Sequence, residues 1–377
     1  MTIGILGGGQ LGYMIALAGY PLDFHFRFLD PSPQAPVGRI ASRVTAEYTD
    51  FEALGKFAHG LALVTYEFEN VPVEAARFLQ KLVPVYPSTQ ALETAQDRRS
   101  EKLLFQKLGI PTTKFAVVNS ADELHQAVQK MGLPAVLKTC RFGYDGKGQW
   151  VLRSNEDVER VKNEIPSAPL ILEEFVKFSR ELSILAVRAR NGATSFYPLV
   201  ENHHRGGILR LSLAPAPRLT AALQREAEDA ARRILESLDY VGVLAIELFE
   251  CDGRLLANEM APRVHNSGHW TIEGAVTSQF ENHLRAISGL PLGVTRTLGF
   301  SAMLNLIGEL PDANEFLALP DAHLHLYGKS PRPGRKVGHV TLRADSMQQL
   351  EQRLGQLPVF FQREEFCLAE RLAKSAK

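Results

Sequence analysis

The chain has 377 residues, 45% of them hydrophobic and 22% charged, enough for two or three domains with ample core. Lys plus Arg equals Asp plus Glu at 42 each, and the pI is near 7.2; this excludes a generally polyanion-binding or membrane-surface protein and leaves only local basic patches. Cys140, Cys251 and Cys367 lie far apart, with no C-x-x-C and no metal spacing, and no apolar run nears membrane-spanning length, so a reducing cytoplasm is the expected setting.

Residues 2–6 read as a buried strand, followed by Gly7-Gly8-Gly9-Gln10-Leu11-Gly12 and a helical stretch over 13–18. A second strand over 25–29 ends at Asp30. This is G-x-G-x-x-G after a strand with an acid about 20 residues on, the pattern of a dinucleotide site. A helix start at a glycine turn binds any phosphate, so a nicotinamide is one reading, another phosphate ligand a second, and a tight structural turn a third. An apolar strand over 61–65 leads into Tyr66-Glu67-Phe68-Glu69-Asn70, which places polar groups at a carboxyl sheet edge, where α/β sheets bind ligands. A solvated loop or helix cap accounts for them equally well.

Residues 97–109 read as a helix carrying Asp97, Arg98 and Lys102. A helix over 120–131 precedes the strand that holds Lys138. The stretch 138–150, KTCRFGYDGKGQW, then carries Gly143, Gly146 and Gly148 with Lys138 and Lys147. Strand, flexible basic loop, strand is a pattern able to fold over a polyphosphate, although it is not a P-loop, and a mobile hairpin tip is the plain alternative. Ser154 is positioned to cap a helix with Asp157 at its third position. The apolar run over 170–176 ends in Glu173-Glu174-Phe175-Val176, with Glu181 beyond; a strand leaving the core beside carboxylates suits adenine and ribose, and an edge strand with exposed acids reads the same.

Strands are expected over 182–188 and 196–200, with the polar run Glu201-Asn202-His203-His204 after the second, and an amphipathic helix over 220–238. Residues 243–249 and 255–260 read as a hairpin around Cys251-Asp252-Gly253-Arg254. That turn sets Glu247 and Glu259 opposite each other to within one residue, among apolar neighbours, with Asn258 adding an oxygen. Two buried carboxylates repel unless a cation or a proton lies between them, and hard oxygens with room for phosphate favour Mg²⁺. The alternative is that one or both face solvent. Arg263, His265 and Asn266 follow in a glycine-broken loop suited to a small anion; no H-x-x-x-H on a helix argues for zinc. The last strands are expected over 301–307, 323–326 and 338–342. Between the latter two, Lys329, Arg332, Arg335 and Lys336 surround a proline-stiffened turn that suits a phosphate, or is simply a solvated charge run. The tail from 347 reads as helical.

Together, GILGGGQLG, TYEFENVP, the Asp97-Arg98 pair, LKTCRFGYDGKGQ, ILEEFV, NHHRGGI, IELF, NEMAPRVHNSGHWT and RPGRKVGHV resemble the ATP-grasp superfamily. Within it they resemble the family that makes 5-(carboxyamino)imidazole ribonucleotide in purine biosynthesis. The likeness runs from Ile3 to about Val340. It implies an α/β and α+β fold: a Rossmann-like N-terminal domain over 1–95, an ATP-grasp domain over 96–295 with a lid lobe at about 111–175, and a small C-terminal domain over 296–377. It implies ATP between the lobes, contacted by Arg98, Lys138 and the loop of Phe142, Gly143, Tyr144, Asp145, Gly146, Lys147 and Gly148. Glu173, Glu174, Phe175, Val176, Glu181, His204, Asn258 and Glu259 would complete that site. Glu247 and Glu259 would hold Mg²⁺, or Mn²⁺.

The implied reaction phosphorylates bicarbonate to carboxyphosphate and transfers the carboxyl unit to aminoimidazole ribonucleotide. Arg263, His265 and Asn266 would hold bicarbonate, with Tyr144 and Asp145 meeting the amine. Gly9, Gln10, Leu11, Glu67 and Asn70 would face the ribonucleotide, with Lys329, Arg332, Arg335 and Lys336 on its phosphate. A homodimer is expected, with no nucleic-acid or membrane partner. Another acyl-phosphate ATP-grasp ligase, a nicotinamide oxidoreductase and a non-catalytic nucleotide sensor are the rival functions.

Overall fold

The computed structural model describes residues 1–143, 148–162 and 168–357, and within them three sheets position the site. The first is parallel: β1 (Thr2–Leu6), β2 (His25–Leu29), β3 (Ser42–Val44) and β4 (Leu63–Tyr66) in the order β3-β2-β1-β4. β1 and β4 are apolar almost throughout because a parallel strand is covered on both faces. The second is antiparallel: β5 (Phe115–Val118), β6 (Ala135–Thr139), β7 (Gln149–Leu152) and β8 (Leu170–Glu174) in the order β5-β8-β6-β7.

The third sheet has nine strands. β9 (Arg180–Arg188), β10 (Thr194–Phe196), β11 (Val200–Arg205), β12 (Ile208–Ala214), β13 (Gly242–Cys251), β14 (Arg254–Ala261), β15 (Phe300–Ile307), β16 (Ala322–Leu326) and β17 (Lys336–Ala344) run β14-β13-β9-β11-β12-β15-β17-β16, with β10 on β9. Because β15 hydrogen-bonds to β12, Leu211 opposite Leu304, the C-terminal strands extend the central sheet. One face of this sheet is covered by the helix Ala221–Ser237, whose Thr220 side chain caps Leu223 N–H and whose Leu223, Ala227, Ile234 and Leu235 pack on Leu182, Ile184, Leu244 and Ile246. The period of about 3.6 in the helix and of two in the strands sends the alternating residues, Glu181, Ser183 and Glu247, to the other face. Truncating Ile234 to Ala in this core costs about 2–5 kcal/mol.

Two element expectations are corrected. The helix after the glycine turn spans Gln10–Gly19, starting three residues early because it grows directly from Gly9. The strand expected over 196–200 is broken: Pro198 has no N–H for a ladder, so β10 stops at Phe196 and β11 begins at Val200. Glu201 to His204 therefore lie inside a strand, not beyond one. The cap at Ser154 has the expected form: Asp157 N–H donates to Ser154 Oγ (3.3 Å), and the Asp157 carboxylate accepts from Arg153 and Ser154 N–H (2.8 and 3.2 Å). In the tail, Met347–Gly355 is helical, and residues after 357 lie outside the described residues.

Candidate active site

The β13–β14 hairpin turns through Asp252 (φ 50°) and Gly253 (φ 75°), the paired left-handed conformation that a two-residue turn needs. From that turn the register runs back to put Glu247 opposite Glu259. A shift in register between the turn and that pair produces it: Leu248 pairs with Ala257, leaving Asn258, which an unbroken ladder would set opposite Glu247, as the extra, bulged residue of β14. The bulge lets Asn258 and Glu259, which strict alternation would send to opposite faces, both line one cavity. Asn258 Oδ1 is buried with no hydrogen-bond partner. Burial first, and then the Glu259 charge, push Glu247 up to about 7. Two carboxylates and an unpartnered carbonyl oxygen are hard donors that fit a divalent cation such as Mg²⁺.

The cavity of about 590 Å³ lies between the large sheet and the β5–β8 sheet. Helix Arg98–Lys107, capped by the Asp97 carboxylate on Arg99 and Ser100 N–H, turns Arg98, Glu101 and Lys102 to its inner side at i, i+3 and i+4. Arg98 Nη1 donates to Glu259 Oε2 at 2.6 Å. Burial, the largest single influence, works to raise Glu259, but the Arg98 charge and hydrogen bond, with the Lys138 charge, together outweigh it and hold the carboxyl at about 2. Across the cavity Lys138 Nζ lies 2.9 Å from Glu173 Oε2, which Thr113 Oγ1 and Lys102 Nζ also approach (3.2 and 3.7 Å). Glu173 Oε1 has no partner and Glu173 is only 2% exposed. Glu174, Phe175 and Val176 complete this wall, opposite a stacked Phe178–Phe249 pair at 4.6 Å between centroids. Cationic, carboxylate and flat apolar groups thus share one cleft, as a nucleotide triphosphate demands.

Arg263, His265 and Asn266 line the same cavity next to the glutamates. Arg263 is not free: its Nε donates to the Glu69 carboxylate and its Nη1 to Val264 O (3.0 Å). Burial, and then the Arg263 charge, hold His265 down at about 3, so its ring is neutral; its Nε2 stands 3.4 Å from Glu247 Oε1. Asn266 and Asn305 exchange amide hydrogen bonds (3.0 and 2.7 Å), tying this loop to β15. His204 pairs with Glu181; burial, the largest single influence, opposes its protonation, but the Glu181 bond together with the charges of Glu247, Glu181 and Glu259 raises it.

At the glycine turn, Gly9 and Glu67, both expected to face the ribonucleotide, are engaged with each other. Gly9 N–H and Gly12 N–H donate to the Glu67 carboxylate, and Gly8 N–H donates to Asp30 Oδ2 at 2.6 Å. The anion at this helix start is the protein's own. A Cβ on Gly9 would fall 2.5 Å from Glu67 Oε1, so the glycine serves a side chain here. Asp30, the acid of the dinucleotide pattern, is engaged in the same turn. Gln10, Leu11 and Asn70 do line the cavity, and Lys329 Nζ donates to Gln10 Oε1. Lys336 lines it too, while Arg332 and Arg335 do not; Arg332 is exposed and Arg335 Nη1 holds Ser330 O at 3.2 Å. Burial, and next the neighbouring Arg335, Lys336 and Arg332 against the attraction of Glu67, bring Lys329 down to about 8.

Phe142 and Gly143 line the cavity, Gly148 precedes β7 with its carbonyl accepting from Thr139 N–H (2.9 Å), and Tyr144, Asp145, Gly146 and Lys147 lie outside the described residues. Sequence patterning missed Gln96, whose Nε2 clamps Glu69 O and Val71 O (2.8 and 2.6 Å), and Glu101, whose carboxylate accepts Met260 N–H. It also missed the burial of Lys102, only 1% exposed. The i, i+3, i+4 charge run after a capping Asp was the available signal.

Fold and cleft define an ATP-grasp enzyme, and family comparison agrees. Residues 103–280 match the ATP-grasp domain, residues 1–96 the ribonucleotide synthetase preATP-grasp domain, and residues 301–353 the phosphoribosylaminoimidazole carboxylase C-terminal domain. The N5-carboxyaminoimidazole ribonucleotide synthase of Pseudomonas aeruginosa is 55% identical over 95% of this chain and 98% of that protein. The crystal structure of the Thermus thermophilus synthetase is 60% identical with a TM-score of 0.91, over 94% of this chain and 97% of that one. The Aspergillus clavatus structure, a complex with ADP and 5-aminoimidazole ribonucleotide, is 33% identical with a TM-score of 0.88, over 94% and 96% of the two chains. The chain belongs to the N5-carboxyaminoimidazole ribonucleotide synthase family, whose members are ATP-dependent ligases.

Proposed function

We propose that this chain uses ATP to carboxylate 5-aminoimidazole ribonucleotide with bicarbonate, giving 5-(carboxyamino)imidazole ribonucleotide, ADP and phosphate in purine biosynthesis. The observation that carries this reading is the opening of Arg263, His265 and Asn266 onto the cavity that holds the Glu247–Glu259 pair. A bicarbonate oxygen there attacks the γ-phosphorus as the bond to ADP breaks, giving carboxyphosphate. The ribonucleotide amine then attacks its carbon and phosphate leaves, with Asp145 the sequence-based candidate for the amine proton. Arg263, planar and permanently charged, is suited to the anion, and His265 and Asn266 supply neutral donors to oxygens that gain charge. Glu247, Glu259 and Asn258 would hold Mg²⁺ (or Mn²⁺), which supplies charge neutralisation at the phosphates when bound. Arg98, Lys138, Glu173 to Val176, Glu181 and His204 are assigned to the nucleotide.

On the ribonucleotide side, Gln10, Leu11, Asn70, Lys329 and Lys336 are supported by their place at the cavity, and Arg332 and Arg335 by their charge beside Lys329. The domain boundaries near 95 and 295, a homodimer and a cytoplasmic setting belong to the same proposal. No described helix is long and apolar enough to cross a membrane. The rival acyl-phosphate ligases are separated by one experiment: ADP release with bicarbonate and aminoimidazole ribonucleotide, each omitted in turn and each replaced by other carboxylates and amines. ADP release that needs neither would overturn the proposal. A nicotinamide site is disfavoured by the Glu67 and Asp30 carboxylates on the glycine turn, where a pyrophosphate would have to bind.

A further inference from the structure

Beneath the cavity, four buried polar side chains with no role in the steps above form one hydrogen-bonded line. Ser212 Oγ donates to Asn202 Oδ1 (2.7 Å), Asn202 Nδ2 to Ser183 Oγ (2.9 Å), and Ser183 Oγ to Ser267 Oγ (2.8 Å). Ser267 Oγ lies 2.9 Å from His265 Nδ1. The three serines are fully buried and Asn202 is 4% exposed. Topology makes the line possible: β12, β11 and β9 are neighbours, and Ser212 sits directly opposite Asn202.

Each hydroxyl has a single proton, so the direction of the whole line is one choice, made at one end. The backbone settles it. Ser267 N–H also points at His265 Nδ1 (3.4 Å), and an amide N–H can only donate. Nδ1 is therefore the acceptor, it takes the Ser267 hydroxyl proton, and Ser267 Oγ must in turn accept from Ser183. The proton of the neutral ring then sits on Nε2, which faces Glu247 Oε1 at 3.4 Å. We infer that Ser267, Ser183, Asn202 and Ser212 are positioning residues that fix His265 as its Nε2–H tautomer. His265 thereby presents a hydrogen-bond donor towards the anion pocket and the carboxylate pair. In that tautomer it has no lone pair there, so it is neither the base nor a ligand of the cation. Fully satisfied buried polar networks of this kind hold one arrangement, since a broken link strands a desolvated group. The inference rests on the proposed place of His265 at the bicarbonate site only for its consequence in turnover, not for the tautomer itself.

The test uses the full chain with ¹⁵N-labelled histidine, the His265 resonances being assigned by their loss in His265→Gln. Long-range ¹H–¹⁵N correlation should show a protonated Nε2 and a bare Nδ1 in the unsubstituted protein. Ser267→Ala and Ser183→Ala should mix the tautomers, because the backbone contact at 3.4 Å is too long to hold one form alone, and Ser183→Thr, which keeps the hydroxyl, should restore the Nε2–H form. Bicarbonate-dependent kcat should fall about tenfold or more in the alanine variants, with the KM for ATP and for the ribonucleotide within about twofold. A protonated Nδ1 in the unsubstituted protein overturns the inference, and that spectrum decides even if an alanine variant fails to fold. An unmoved tautomer in both alanine variants overturns it equally. A changed tautomer with unchanged kcat upholds the relay and instead removes His265 from the bicarbonate chemistry.

Discussion

Replacing Glu247 by Gln should make the ligand-free protein more stable above neutral pH while abolishing its response to Mg²⁺. Glu247 is held up at about 7 against an ordinary 4.5, by burial first and by the Glu259 charge across the ladder second. A folded-state pKa above the unfolded one means that the fold prefers the protonated form. The associated stability is complete below about 4.5 and is lost as pH rises through about 7. A rise of that size has a ceiling of about 3 kcal/mol. Its side chain keeps 20% exposure and the charge is shared with Glu259, so about 1–2 kcal/mol is the expected effect. The Gln variant leaves no stranded partner, because Gln keeps an oxygen towards His265 Nε2 and Glu259 already has Arg98 at 2.6 Å. Guanidinium unfolding at fixed pH between 4 and 8.5 should therefore give nearly equal stabilities at the acid end and a more stable variant at the basic end. Adding Mg²⁺ with ADP at about a hundred times Kd should stabilise the unsubstituted protein by about 2.7 kcal/mol and the variant by far less. Parallel pH profiles would refute the buried-repulsion argument, and an undiminished Mg²⁺ response would refute the cation site.

Arg263→Lys keeps the charge but loses the fork that grips both Glu69 and Val264 O; ATP binding should stay near normal while carboxylation drops about a hundredfold, measured by product formation against ADP release. Neutralising Arg335 or Arg332 should raise the ribonucleotide KM at least tenfold, about 1.4 kcal/mol, with little change for ATP; steady-state kinetics in each substrate decides it, and a shift confined to ATP would move that turn to the nucleotide. Glu67→Ala should cost about 2–4 kcal/mol in chemical denaturation, because Gly9 and Gly12 N–H lose their acceptor in a buried turn, whereas Glu67→Gln, which keeps one acceptor, should cost less.

The parts of the site legible in the sequence are those whose geometry is local. Asp252-Gly253 specifies a two-residue turn, and counting back from it brings Glu247 to within one residue of Glu259: an unbroken ladder would set it opposite Asn258, and the bulge moves it to Glu259. Likewise an Asp followed by charges at i, i+3 and i+4 marks the inner side of helix Arg98–Lys107. The bulge at Asn258 was not legible, since nothing in NEMA distinguishes a bulged strand from a regular one. Long-range partners were hidden too: Arg263 and Glu69 are 194 residues apart, and Lys329 and Gln10 are 319 apart. Pro198 was visible and should have split the strand expected over 196–200.

What the sequence hid is largely one physical habit, the use of the protein's own groups where a ligand pattern was expected. Glu67 fills the helix start that reads as a phosphate cradle, and Glu69 holds Arg263. Arg98 holds Glu259, and Glu181 holds His204. Each pair solves the same problem: a charge carried on a largely dehydrated wall is costly unless a partner lies within hydrogen-bond reach. Pairing also sets the conditions for binding. A cation arriving at Glu259 would compete with Arg98 and would free a guanidinium beside the phosphates it accompanies, so metal and nucleotide should favour each other. Glu67 differs, because its two hydrogen bonds come from backbone N–H groups that cannot swing away, and these leave the glycine turn no free N–H pair for a phosphate.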